Sequence, residues 1–215
     1  MPISWPVRFS YTQRWKQLAH NASDVQTEIL AAREERADRT RRFIARLRLP
    51  VIVLTINVPG SDKNEPWVAD ALTQGRHAVE AELETRGWVV QAAQGCDSAA
   101  GPEWRAAIVA AADVGNVPIR GTGRRSILSA VEIKRMTVYI EEAHPIGRLL
   151  DIDVFDDDLT SIGRSDLGLP PRRCLICDNP AHECARSRQH APAQLRSKIA
   201  ELMMREPTLR RRAFL

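Results

Sequence analysis

Cysteine is scarce, with four in 215 residues, too few to staple a domain of that length with disulfides. Long apolar runs are missing as well. The longest, Leu49 to Val58, is interrupted by Pro50 and Asn57 and falls short of the roughly 20 residues that span a bilayer. No basic start with an apolar core and a small-residue cleavage site stands at the N-terminus, so a cytoplasmic protein without a membrane partner is expected. Aromatics make up 5% of the chain, all five tryptophans lie at or before residue 104, and none of the aromatics falls between Phe155 and Phe214. The basic C-terminal part therefore has no rings on which to stack bases, which argues against nucleic acid as a partner. At 44% hydrophobic and 27% charged, the composition excludes collagen-like, disordered and coiled-coil chains. The length suits one globular domain with a real core.

The small net charge of +4 conceals two opposed segments. Glu141 to Asp158 holds seven acids (Glu141, Glu142, Asp151, Asp153, Asp156, Asp157, Asp158) against one Arg, whereas Arg172 to the end holds ten basic and four acidic residues. An acidic cluster followed by a basic segment suits joint binding of a metal ion and an anionic substrate, and equally suits a solvated loop beside a basic helix.

Periodicity divides the chain into a loose extension over 1–22, a single domain over 23–205 and a basic tail over 206–215. Ser23 or Asp24 caps a first helix, in which Val25, Ile29, Ala32, Arg36, Arg39, Phe43 and Leu47 keep helical spacing up to Pro50. Its charged middle, Arg33 to Arg42, is expected to be exposed between anchored ends. The β-branched run Val51 to Ile56 reads as a buried strand. Pro66 to Arg86 reads as a helix stopped by Gly87, and Trp88 to Ala92 as a strand. Alanine-rich Pro102 to Ala112 reads as a helix, Val114 to Ser126 as a loop, and Ser129 to Ala143 as a helix. Leu149 to Phe155 alternates as a strand, and after a turn-rich stretch Pro192 opens a last helix to Met204. The expected class is α/β or α+β, a small mixed sheet flanked by helices.

Two groups of residues carry chemistry. In Gly147-Arg148-Leu149-Leu150-Asp151-Ile152-Asp153-Val154, period-two alternation puts Asp151 and Asp153 on one face and Leu150, Ile152 and Val154 on the other. Two adjacent carboxylates repel unless a cation sits between them. Mg²⁺ suits hard oxygen donors and leaves room for phosphate oxygens. A third ligand is sought among Glu141, Glu142, Asp156 and Asp178. The second group is Cys174-x2-Cys177-x4-His182-x-Cys184, with His190 six residues further on. Cys174, Cys177, His182 and Cys184 are the nearest set for a tetrahedral zinc site. The other reading makes them small buried hydrophobes. Cys96, in Gly95-Cys96-Asp97-Ser98, is taken as an incidental loop thiol.

These same residues resemble a known family. His144-Pro145-Ile146-Gly147-Arg148-Leu149-Leu150-Asp151-Ile152-Asp153-Val154 is similar to the signature of the apo-citrate lyase phosphoribosyl-dephospho-CoA transferases, also called holo-citrate lyase acyl-carrier-protein synthases. So is Gly168-Leu169-Pro170-Pro171-Arg172-Arg173-Cys174-Leu175-Ile176-Cys177, followed by Pro180-Ala181-His182 and Cys184-Ala185-Arg186 up to His190. Upstream, the run Ile29 to Arg36 and Thr55-Ile56-Asn57-Val58-Pro59-Gly60 extend the likeness to roughly Asp24 to Met204. The resemblance implies a nucleotidyltransferase-like enzyme. It would move phosphoribosyl-dephospho-CoA from triphosphoribosyl-dephospho-CoA to a serine of the citrate lyase acyl carrier (gamma) subunit, with release of pyrophosphate. It assigns Asp151 and Asp153 to Mg²⁺ binding and catalysis, and Gly147, Arg148, Arg164, Arg172 and Arg173 to the phosphates of the donor. The alternatives are the equivalent transferase for a malonate decarboxylase carrier protein and a non-catalytic zinc-containing binding module. The chain departs from the pattern at Ala191, where a helix-capping serine is expected, in the first twenty residues, and from Gly115 to Ser126.

Overall fold

The computed structural model describes residues 22–60, 62–114 and 128–210. The expected N-terminal extension and most of the Val114 to Ser126 loop lie outside them. Helix α1 (Ala22–Leu47) leads into strand β1 (Val51–Ile56), and α2 (Pro66–Thr85) into β2 (Trp88–Cys96) and β3 (Glu103–Ala110). Then come α3 (Ala130–Ala143), β4 (Leu150–Phe155), the short β5 (Ser161–Ile162), α4 (Ala181–Ser187), α5 (Pro192–Met204) and α6 (Pro207–Arg210). The strands form one sheet in the order β2-β3-β1-β4-β5. The α+β class is as expected, but every pairing is antiparallel rather than mixed.

Each strand is explained by what covers it. β1 is central and buried along nearly its whole length, hence its unbroken β-branched run. On one face Ile52, Leu54, Ala106, Ile108, Ile152 and Val154 pack with Val68, Leu72, Val79 and Leu83 of α2 and Ile133, Met136 and Ile140 of α3. Ile199, Leu202 and Met203 of α5 and Leu209 of α6 close this core, so residues 207–210 of the segment read as a tail form a packed turn of helix. On the other face Phe43 and Ile44 of α1 meet Val51, Val53, Ala107 and Val109. Arg48, in left-handed conformation with φ 53°, ends α1 ahead of Pro50.

The segment Pro102 to Ala112 corrects the helical expectation. Glu103–Ala110 is a strand flanked by β1 and β2 and buried at all but its last residue. Alanine favours a helix in isolation, but here the small side chains of Ala106 and Ala107 let helices approach both faces of the sheet. Packing decides the outcome. The structure also lengthens β2, which runs on to Cys96 rather than ending at Ala92, and which carries a register irregularity between Val90 and Ala92.

The charged middle of α1 is likewise not simply exposed. Arg36 and Arg39 turn inward and pair with Glu103, which is fully buried and also meets the buried Arg105 of its own strand. Arg36 further donates to the carbonyl oxygen of Ala100 at 3.1 Å. One carboxylate thus gathers three guanidinium groups and holds α1 over β3. Because removing one member of a buried charge cluster leaves the others uncompensated, Glu103→Gln should lower the unfolding free energy by about 3 kcal/mol. Urea denaturation measures this, and a loss below about 1 kcal/mol contradicts the buried-cluster account.

Candidate active site

The alternation of β4 places its two carboxylates as its residues dictate. Leu150, Ile152 and Val154 are buried, while Asp151 and Asp153 are exposed on the α1 side of the sheet. In the sheet register Thr55 lies between Glu103 and Asp151, and Val53 between Arg105 and Asp153. The residue between the two aspartates is held from α3. Lys134 Nζ donates to the Ile152 carbonyl at 2.7 Å, and the Ile152 N–H donates to Glu141 Oε1 at 3.1 Å. Both side chains are buried and act where a longer β5 would otherwise supply ladder bonds.

The aspartates repel. Burial first, and then the charges of Asp151 and Glu141, push the Asp153 carboxyl up to about 6. Asp153 is exposed by area and shares its strand face with Asp151. Two arginines act on the pair, and Lys63 lies beside one of them. Arg172 Nη1 stands 3.5 Å from Asp151 Oδ1. Arg36 has its pKa lowered by burial and then by Arg39, while Asp151 and Asp153 act in the opposite direction. Lys63 donates to the Val58 carbonyl, and burial, then Arg33 and Arg36, bring its pKa down to about 8.

The predicted phosphate-binding residues divide. Arg172 donates Nη2 to the carbonyls of Gly147, Arg148 and Leu150, at 3.2, 2.8 and 2.6 Å. Arg148 donates Nη2 to the carbonyls of Arg173 and Cys174, at 2.5 and 3.1 Å. These bonds interlock the turn before β4 with the 172–174 strip. Arg173 is exposed and pairs with exposed Asp178 at 3.2 Å. Arg164 is turned away, held by Glu141 at 3.3 Å and by Glu142. Gly147 is a glycine for packing: a Cβ there would lie 2.5 Å from the Ile140 carbonyl oxygen and 2.6 Å from that of Glu141. Among the proposed third ligands, Glu141 is engaged by Ile152 and Arg164, Glu142 by Arg164 and Asp178 by Arg173. Asp156 instead clusters with Asp157 and Asp158.

Arg148, Arg172 and Arg173, but not Arg164, line a cavity of about 500 Å³ together with Asn57, Gly60, Cys174, Arg188, His190 and Leu195. Arg172 stands between this cavity and Asp151. Sequence reasoning missed Arg36, Asn57 and Arg188. Arg36 had left a signal, a cation within an inward-facing helical stripe. The cysteine strip forms one wall of the cavity, and the structure gathers a different set of side chains from the one suggested by spacing. Cys174, Cys177, Cys184 and His190 converge, whereas His182, on the first turn of α4, is 55% exposed beside Glu183. Within this cluster burial pushes the Cys184 thiol up to about 12. At Ala191 no side-chain acceptor caps α5; only the return bond is made, from Ala191 N–H to Gln194 Oε1 at 2.9 Å.

The donor set fits a small hard cation: two carboxylates on one face, one of them raised by burial and then by its like-charged neighbours, with arginines at the rim. Among the described residues no helix is long and apolar enough to cross a membrane.

Residues 25–117 and 125–206 match the family model described as apo-citrate lyase phosphoribosyl-dephospho-CoA transferase. Curated proteins of that name from Escherichia coli O1:K1 and Shigella boydii serotype 18 are each 31% identical over 185 residues, covering 86% of this chain and 91% of the relative.

A carboxyl raised in the native state binds a proton that the unfolded chain has released, so stability falls as pH rises from the usual aspartate value of 3.8 to about 6. In the presence of a chelator, Asp153→Asn should therefore be more stable than wild type by about 1 kcal/mol at about pH 7.5, after allowance for solvent screening. The difference should vanish below about pH 4. Thermal unfolding across pH tests this, and a variant that is less stable at neutral pH contradicts the reading of Asp153.

Proposed function

The chain belongs to the apo-citrate lyase phosphoribosyl-dephospho-CoA transferase family, and on that premise we propose that it takes the phosphoribosyl-dephospho-CoA group from triphosphoribosyl-dephospho-CoA to a serine of the citrate lyase acyl carrier subunit. As the family name states, the enzyme is a transferase that acts in attaching the citrate lyase prosthetic group. The observation that carries the finer reading is the pairing of Asp151 and Asp153 with the arginine-rimmed cavity across Arg172.

The reaction is a displacement at phosphorus. The carrier serine oxygen bonds to the α-phosphorus of the donor triphosphate. The bond from that phosphorus to the β-phosphate oxygen breaks, pyrophosphate leaves, and a phosphodiester joins serine to the ribose. Positioning and charge stabilisation supply most of the catalysis in such chemistry. Arg148, Arg172, Arg173 and Arg188 face the cavity and are suited to hold the donor's phosphates. Asn57, Gly60 and Leu195 offer a polar and apolar bed for the remainder of the donor. The serine proton is suited to pass to a carboxylate oxygen of Asp153 that the cation leaves free. Asp151 and Asp153 would hold Mg²⁺, which when bound lowers the charge on the phosphate oxygens and the barrier to their approach. No nucleophilic serine or cysteine of this chain takes part.

Intact-mass spectrometry of the carrier subunit tests this. Mixed with the protein, the donor and Mg²⁺, the carrier should gain the mass of phosphoribosyl-dephospho-CoA, and Asp151→Ala and Asp153→Ala should slow the gain at least about 100-fold. Unchanged rates in folded variants contradict the assignment. Modification of a malonate decarboxylase carrier in preference would move the substrate to the other branch.

A further inference from the structure

We propose that Cys174, Cys177, Cys184 and His190 form a zinc site that builds one wall of the donor cavity. Their ligand atoms all lie within 4.8 Å of one another. Cys177 Sγ is 3.5 Å from Cys184 Sγ and 3.3 Å from His190 Nε2. Tetrahedral zinc, with bonds of about 2.3 Å to sulfur and 2.0–2.1 Å to nitrogen, requires edges of roughly 3.7 Å between sulfurs and roughly 3.5 Å from sulfur to nitrogen. The observed spacings match those edges. They are far longer than the roughly 2.05 Å of a disulfide. They are also too short for a cluster of several irons, which would hold its cysteines further apart. Three soft thiolates and an imidazole in a tetrahedron favour zinc over harder cations.

The surrounding backbone is arranged as a ligand knuckle. The Ile176 N–H is aimed at Cys174 Sγ at 3.5 Å, a bond that suits a metal-bound thiolate better than a thiol. The strip is closed on itself: Cys174 N–H donates to Asn179 O at 2.8 Å, and Ala181 N–H to Arg172 O at 2.7 Å. Helix α4 then presents Cys184 inward, 7% exposed. Arg188 adopts the left-handed region, with φ 50° and ψ 40°, a conformation uncommon outside glycine and asparagine. That reversal brings His190 back onto Cys177. The Arg188 and Gln189 N–H groups close it on the Cys184 carbonyl, and it leaves His190 Nε2 3.3 Å from Cys177 Sγ.

Cys174, Cys184 and His190 also line the cavity, and Arg172 and Arg173 directly precede Cys174. The metal would therefore fix the wall carrying the phosphate-facing arginines, while lying outside the aspartate pair. The site stands or falls independently of the transfer reaction.

Elemental analysis of the full-length, untagged protein purified under reducing conditions tests it. Wild type should carry about one zinc per chain, retained through dialysis against a chelator and released by a mercurial thiol reagent. Cys177→Ser and His190→Ala should each fall to less than about a tenth of that content, while His182→Ala keeps it. Replacement by cobalt should give the intense visible absorption of a tetrahedral thiolate site. Metal-free wild type with its thiols freely titratable overturns the proposal without needing any variant. Loss of zinc in His182→Ala with retention in His190→Ala overturns the ligand set.

Discussion

The side-chain alternation of β4 is the constraint on which the candidate site rests. Leu150, Ile152 and Val154 are locked into the core against α2 and α3, and a slip of one residue would bury Asp151 and Asp153 in their place. Such a slip is opposed twice more. Lys134 and Glu141 grip the carbonyl and the N–H of Ile152 from α3, and β1 pairs with every residue from Leu150 to Phe155. Two like charges can be held side by side because apolar burial on the opposite face fixes the strand. In the function proposed above, a cation bound at the pair would relieve that repulsion and so allow an anionic substrate to approach.

Charge of the other sign is handled by the same logic. Arginines are abundant near the site, and most have structural partners. Arg172 ties together the carbonyls of the turn before β4, Arg148 ties down the 172–174 strip, and Arg36 and Arg39 converge on buried Glu103. A guanidinium has five donors in a planar fork, so one held by backbone carbonyls can still offer N–H groups to a phosphate. Fixing these groups in advance lowers the ordering cost when a polyanion arrives. Arg164 differs: its two carboxylate partners, Glu141 and Glu142, take it away from the cavity.

Much of this was legible in the sequence because it rests on local periodicity. The Asp151–Asp153 face, helices α2, α3 and α5 and strand β1 follow from spacing alone. What escaped was decided by tertiary contact. Glu103–Ala110 reads as an alanine-rich helix until β1 and β2 claim it as a strand. Arg36 and Arg39 look like solvated charges until Glu103, more than sixty residues away, is folded beneath them. Spacing selected His182 for the cysteine cluster, whereas the reversal at Arg188 delivers His190. In each case the nearest neighbour along the chain was not the nearest in space.

The central claim is that the aspartate pair and the arginine-rimmed cavity are two halves of one site, joined through a cation. Reciprocal linkage makes this measurable by calorimetric titration of the donor with and without Mg²⁺. In wild type the ion should tighten donor binding by about tenfold or more, and the donor should tighten Mg²⁺ binding by the same factor. With Asp151 and Asp153 both changed to Asn, that dependence should disappear while the cavity still binds. Donor affinity indifferent to Mg²⁺ in wild type, or equally dependent on it in the double variant, would contradict the account.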